Sequence, residues 1–187
     1  MTDLRLSAAA AALPLLMAGC ATQPAPRPQG QALDALLAFA DPAICRQTDA
    51  TARLIEGFVR NDPLAMDSDS WIEPGAVPAE LRDRFGPITR IKHDEWWTIR
   101  TPVRGTLWGL PLTAIEQDFP VGGDAGGTTF EFHASARMVE RAARARGLMA
   151  RAGRSVPMGV PDGLAWEIGL HPDDDDPRRS RLSCGHS

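Results

Sequence analysis

Ile88-Thr-Arg-Ile-Lys-His-Asp-Glu-Trp-Trp-Thr-Ile-Arg100 is the stretch at which this chain changes its period. Upstream, apolar residues recur at helical spacing. From Ile88 onward, Trp96, Trp97, Thr98 and Ile99 are residue types that favour strands. Side chains alternate across a strand. With Ile99 in the core, Trp97 joins it, and Trp96 turns outward with Thr98 and Arg100.

Downstream the strand signals continue. Thr101-Pro-Val-Arg-Gly105 reads as a turn. Thr106–Phe119 is a second strand, with Trp108, Leu110 and Leu112 at alternate positions. Pro111 inside it points to an edge or a bulge. Gly122–Gly127 reads as a turn, and Thr128–His133 as a third strand with Phe130 and Phe132 on one face. Ser135 caps a helix to Arg146, which Gly147 terminates. Leu164-Ala-Trp-Glu-Ile-Gly-Leu170 alternates as a fourth strand.

Upstream, Leu33, Leu36, Leu37 and Phe39 space as a helix over Gln31–Ala40. Asp41-Pro42 starts a second short helix, and Thr48-Asp49 caps a third carrying Leu54, Ile55, Phe58 and Val59, which ends at Asn61-Asp62-Pro63. Residues 62–87 are rich in Pro, Gly, Asp and Ser and read as an irregular connection, with one helical turn at Ala79–Phe85. The expectation is one α+β domain over residues 31–187. N-terminal helices precede an antiparallel sheet of about four strands with one inserted helix.

Before this domain, a short apolar run from Leu6 to Met17 follows Arg5 and ends in Ala18-Gly19-Cys20. It is too short for a spanning helix, and Pro14 interrupts it. Leu16-Met-Ala-Gly-Cys20 resembles the lipobox of bacterial lipoproteins. The resemblance implies a signal peptide over residues 1–19, a lipid on Cys20 and a membrane anchor. Ala21 after the cysteine implies sorting to the outer membrane. Ordinary signal cleavage near Ala21, giving a secreted protein, is the other reading. Residues 20–30 are proline-rich and extended, a spacer of ~30 Å at about 3.1 Å per residue.

With Cys20 carrying the lipid, Cys45 and Cys184 remain. An even pair in an oxidising compartment, outside any Cys-x-x-Cys motif, reads as a disulfide. It ties the polar tail to the first helical region. The formal net charge is −4, which gives a nucleic-acid role no electrostatic support. Lys92 is the one lysine among the 20 basic residues.

No catalytic signature stands out. Gly122–Gly127 lacks the lysine of a P-loop and precedes a strand, so it reads as a hairpin turn. Asp67 and Asp69 lack the glycine and glutamate that complete an EF-hand loop, and read as a polar turn. Asp173–Asp176 with Arg178 and Arg179 reads as a solvated loop. His93, His133 and Glu131 are the best acid–base material, yet no zinc spacing or serine elbow accompanies them. Glu131 and His133 read as the polar face of the sheet. No cofactor or metal is implied.

Trp96 and Arg100, with Trp71, are the candidate partner contacts, because exposed Trp and Arg are enriched at binding hot spots. The sequence therefore points to a periplasm-facing outer-membrane lipoprotein whose non-catalytic domain contacts another envelope component. Two other readings stay open. One is an envelope hydrolase using His93 or His133 with Glu131. The other is a small-ligand or metal-binding lipoprotein.

Overall fold

A computed structural model describes residues 32–58, 77–120, 126–158 and 166–186. Among these residues, nine strands and two α-helices stand in the order β1 (Phe39–Asp41), β2 (Arg46–Gln47), α1 (Asp49–Glu56), β3 (Thr89–Lys92), β4 (Trp96–Leu107), β5 (Leu110–Pro120), β6 (Thr128–Phe132), α2 (Ala136–Arg144), β7 (Arg154–Met158), β8 (Trp166–Pro172) and β9 (Ser180–His186). Two 3-10 turns lie at Pro42–Ile44 and Ala79–Arg84. Seven strands form one sheet in the order β3-β4-β5-β6-β9-β8-β7, every neighbouring pair antiparallel. β1 and β2 pair as a small separate sheet.

The fold is thus mostly β, not N-terminal helices followed by a four-strand sheet. The expected first helix is one turn, in which Leu36 and Leu37 N–H donate to the Leu33 carbonyl at 2.9 Å each. Buried Thr51 then captures the next backbone. Its hydroxyl accepts from Ala38 N–H at 2.9 Å and donates to the Leu36 carbonyl at 3.0 Å. Those groups are lost to a continuing helix, and the chain enters β1. Leu33 and Leu37 are still core residues, as their apolar character required.

The Asp41 and Thr48 caps hold, whereas Ser135 precedes α2 without a side-chain capping bond. Asp41 accepts from Ala43 N–H ahead of Pro42, and Thr48 accepts from Thr51 N–H at the start of α1. α1 ends at Glu56 with Gly57 as its C-cap, well before Asn61-Asp62-Pro63. Gly147 follows α2 with φ +92°, the left-handed region glycine favours.

The expected turn at 101–105 lies inside β4. That strand bends there through a register shift between Pro102 and Gly105. The real reversal is Trp108-Gly109, with φ +56° and +75°. Positive φ at both residues is the two-residue hairpin turn that matches strand twist. Trp108 holds this conformation because its ring packs on Phe39 and Phe132, with centroids 6.2 and 5.9 Å away. Pro111 lies in central strand β5, where its carbonyl accepts from His133 N–H at 3.0 Å.

The expected polar tail is β9, a strand between β6 and β8. Cys184 is therefore held by two ladders as well as by its disulfide to Cys45, with the Cα atoms 5.9 Å apart. The bond ties the sheet interior to the turn after Pro42–Ile44.

One face of the sheet carries the main core. Ile115, Phe130 and Leu182 are aligned on β5, β6 and β9 and fully buried with Phe132, Ile168 and Leu170. Each such side chain contributes about 1.5–3 kcal/mol. Val139 and Ala143 of α2 and Leu54 and Ile55 of α1 belong to the same cluster. Trp97 and Ile99 form a smaller cluster with Ile88 and Phe119. Both described α-helices pack on this side, with Met138 of α2 left exposed.

Candidate functional site: the polar face of the sheet

Alternation sends the intervening residues to the opposite face. On β4 these are Trp96, Thr98 and Arg100, with Asp118 and Glu116 facing Thr98 and Arg100 from β5. Thr129 and Glu131 follow on β6, and Ser183 and Arg181 on β9. Registry alone builds a surface that is polar at its centre, with Trp96 at one end and Pro102 and Ala114 at the other.

Its centre is an ion-pair cluster. Arg100 Nη2 donates to Glu131 Oε2 at 2.6 Å, and Arg100 Nε lies 3.5 Å from Glu116 Oε1. Arg181 pairs with Glu116, and Arg179 Nη2 lies 3.6 Å from Glu131 Oε2. Both glutamates are buried, while the three arginines reach solvent. The two carboxylates are close enough for each to act on the other's ionisation.

Their ionisation diverges. Burial pushes the Glu116 carboxyl up, and the neighbouring Glu131 charge adds to this against the pull of Arg181 and Arg100. Burial opposes ionisation of Glu131 as well, but the Arg100 hydrogen bond and charge outweigh it and hold Glu131 down. The bond to Glu131 raises Arg100 in turn. Like charges this close favour one shared proton as pH falls.

A second polar group lies at Thr98, two residues before Arg100 on β4. Thr98 donates to Asp118 Oδ1 at 2.7 Å, and His93 Nε2 is 3.1 Å from the Thr98 oxygen. With that hydroxyl proton directed to Asp118, His93 serves Thr98 as a donor, an arrangement that steadies the imidazole rather than activating a nucleophile. The His93 ring stacks on Trp96, with centroids 4.9 Å apart and planes at 24°. Trp96 remains 45% exposed.

Beside Trp96 a cavity of about 400 Å³ opens onto the polar face. Asp118, Thr129, Glu167 and Ser183 line it, over a floor of bare backbone at Gly127 and Gly185. A Cβ on Gly185 would fall 2.6 Å from Gly127 Cα, and one on Gly127 would crowd the Cys184 carbonyl oxygen at 3.1 Å.

The residues singled out in the sequence are distributed as follows. Trp96 and Arg100 share the polar face four residues apart on β4. His93 stands with them at the β3–β4 hairpin. Glu131 lies opposite Ala114, four residues along β5 from Asp118, or ~13 Å at about 3.3 Å per residue. His133 is exposed just beyond β6. His93 and His133 are thus at different levels of the sheet, and Glu131 is committed to arginines. Trp71, Asp67, Asp69 and Cys20 lie outside the described residues. In the Asp173–Arg179 loop, Asp176 accepts from Arg178 through both carboxylate oxygens, which hold its carboxyl at about 2.

Glu116, Asp118, Glu167 and Arg181 were not singled out by the sequence. Glu116 was the most readable, as a charged residue directly after Ala114 and Ile115 in the expected second strand. Arg181 was hidden because β9 was. No protein-family model matches the chain, and no curated protein or solved structure is significantly similar to it.

Proposed function

We propose that this protein is a lipid-anchored envelope lipoprotein whose domain is a non-catalytic binding module. In this reading Cys20 carries the anchor in the outer membrane, the 20–30 segment spaces the domain into the periplasm, and the polar sheet face meets another envelope component. One observation carries the reading. Trp96 is a large aromatic, half-exposed on the face opposite the core and held by His93 stacking. An aromatic ordered before binding loses little entropy on association. Arg100 on the same face supplies a charged neighbour whose position the two buried glutamates fix.

Catalysis has weaker support, because His93, His133 and Glu131 do not converge and Glu131 is neutralised by arginines. The test is cross-linking in intact envelopes, comparing wild type with Trp96→Ala. The reading expects a specific partner that the variant loses. It also expects a diacylglyceryl mass on the mature N-terminus that Cys20→Ser abolishes. An unmodified mature N-terminus at another residue would remove the anchor, and retention of the partner by Trp96→Ala would move the contact elsewhere.

A further inference from the structure

The cavity beside Trp96 has a definite chemistry. Its described charged lining residues are Asp118 and Glu167, both acidic. Asp118 spends Oδ1 on Thr98, leaving a second carboxylate oxygen. Glu167 is partly exposed and pairs with none of the described residues. Trp96 supplies an indole with His93 stacked against it, and an aromatic ring has two faces. The Thr129 and Ser183 hydroxyls add acceptors. The bare glycine floor lets a ligand approach the backbone closely.

We propose that this cavity is a binding site for an organic cation, an ammonium or guanidinium group. Carboxylates stabilise such a group by charge-assisted hydrogen bonds, and an indole face attracts it through the ring quadrupole. An anion is disfavoured by both acids. A neutral apolar ligand would leave two carboxylates desolvated and unmatched, which is costly. The volume lies within the usual range for small-molecule sites and accommodates a lysine or arginine side chain with its stem against Pro120. The cation belongs either to a basic side chain of a protein partner or to a free polyamine.

The inference shares the polar face with the function proposed above, but does not depend on the lipid or on a protein partner. The experiment titrates the full chain in detergent with Nα-acetyl-lysine methylamide, Nα-acetyl-arginine methylamide, spermidine, a short lysine/arginine peptide and the uncharged norleucine analogue. Calorimetry reads affinity. The charged probes should bind and the norleucine analogue should not. Glu167→Gln and Trp96→Leu should each weaken binding about three- to tenfold. Added salt should weaken it further.

Tighter binding of the peptide than of spermidine points to a protein source, and the reverse order to a free amine; both support the site. Equal binding of the norleucine analogue, no binding of any charged probe, or unchanged affinity in both variants overturns it. Thermal melting of each variant separates misfolding from lost recognition. Cation binding together with a cross-linked partner that survives Trp96→Ala would keep the site and reject the proposed contact surface.

Discussion

Arg100 on β4 reaches across β5 to Glu131 on β6, joining two strands that share no backbone hydrogen bond, with Nη2 and Oε2 2.6 Å apart. Glu116 on the intervening strand lies under the same guanidinium. One arginine therefore matches two buried carboxylates, and the sheet's polar face is locked across three strands.

Arg100→Met should destabilise the domain by about 1–3 kcal/mol. Breaking a buried pair costs about 3–5 kcal/mol, but this guanidinium is partly exposed and Arg179 and Arg181 remain beside the acids. Arg179→Ala should cost under about 1 kcal/mol, as exposed pairs do. Urea unfolding of both variants checks the order. Equal losses would mean that Arg100 holds no special place.

The two glutamates should respond oppositely to neutralisation. Glu131 is held below its unfolded value, so its contribution is present above that value, near 4.3, and is lost as pH falls through the folded one. Glu116 is raised, so its contribution is present below the unfolded value and is lost as pH rises through the folded one. At pH 7, Glu131→Gln should destabilise the protein, by about 1–2 kcal/mol for a lost charged hydrogen bond. Glu116→Gln should be neutral or stabilising. The Glu131→Gln deficit should shrink below about pH 4. Denaturant midpoints at pH 7 and at about pH 3, below the unfolded glutamate value, report both effects, and matching losses at pH 7 would contradict the assignment.

Opening the Cys45–Cys184 bond should cost about 2–5 kcal/mol, because it closes a loop across a sequence separation of 139 residues. Cys45→Ser and Cys184→Ser should lower Tm by similar amounts, and reductant should lower the wild type to match. Non-reducing peptide mapping should recover both cysteines in one bridged peptide.

Two glycines separate backbone strain from crowding. Gly109 has φ +75° with nothing near an added Cβ, so Gly109→Ala should cost about 1–2 kcal/mol from conformation alone. At Gly185 an added Cβ meets Gly127 backbone at 2.6 Å, so Gly185→Ala must part β9 from the residue before β6. Its loss should exceed that of Gly109→Ala, and calorimetric Tm values rank the two.

Sequence by itself determined the local features whose cause lies within a few residues. These include the Asp41-Pro42 turn, the Thr48 cap, α2 with Gly147 behind it, and the alternation that separates Trp96 from Trp97. Cysteine parity, with Cys20 read as a lipid site, pointed to the Cys45–Cys184 bond that the structure contains. Only tertiary structure decided the rest. Ser180–His186 has few β-favouring side chains, and it is a strand because β6 and β8 supply its hydrogen bonds. Residues 31–40 carry helical spacing, but buried Thr51 takes their backbone groups. The ion-pair cluster draws Arg100, Glu116, Glu131, Arg179 and Arg181 from four strands and a loop, and the Trp96 cavity joins Asp118 to Glu167 from strands far apart in the chain. Registry between strands sets such meetings, and registry is fixed by nonlocal pairing and burial, which a local reading of one chain does not contain.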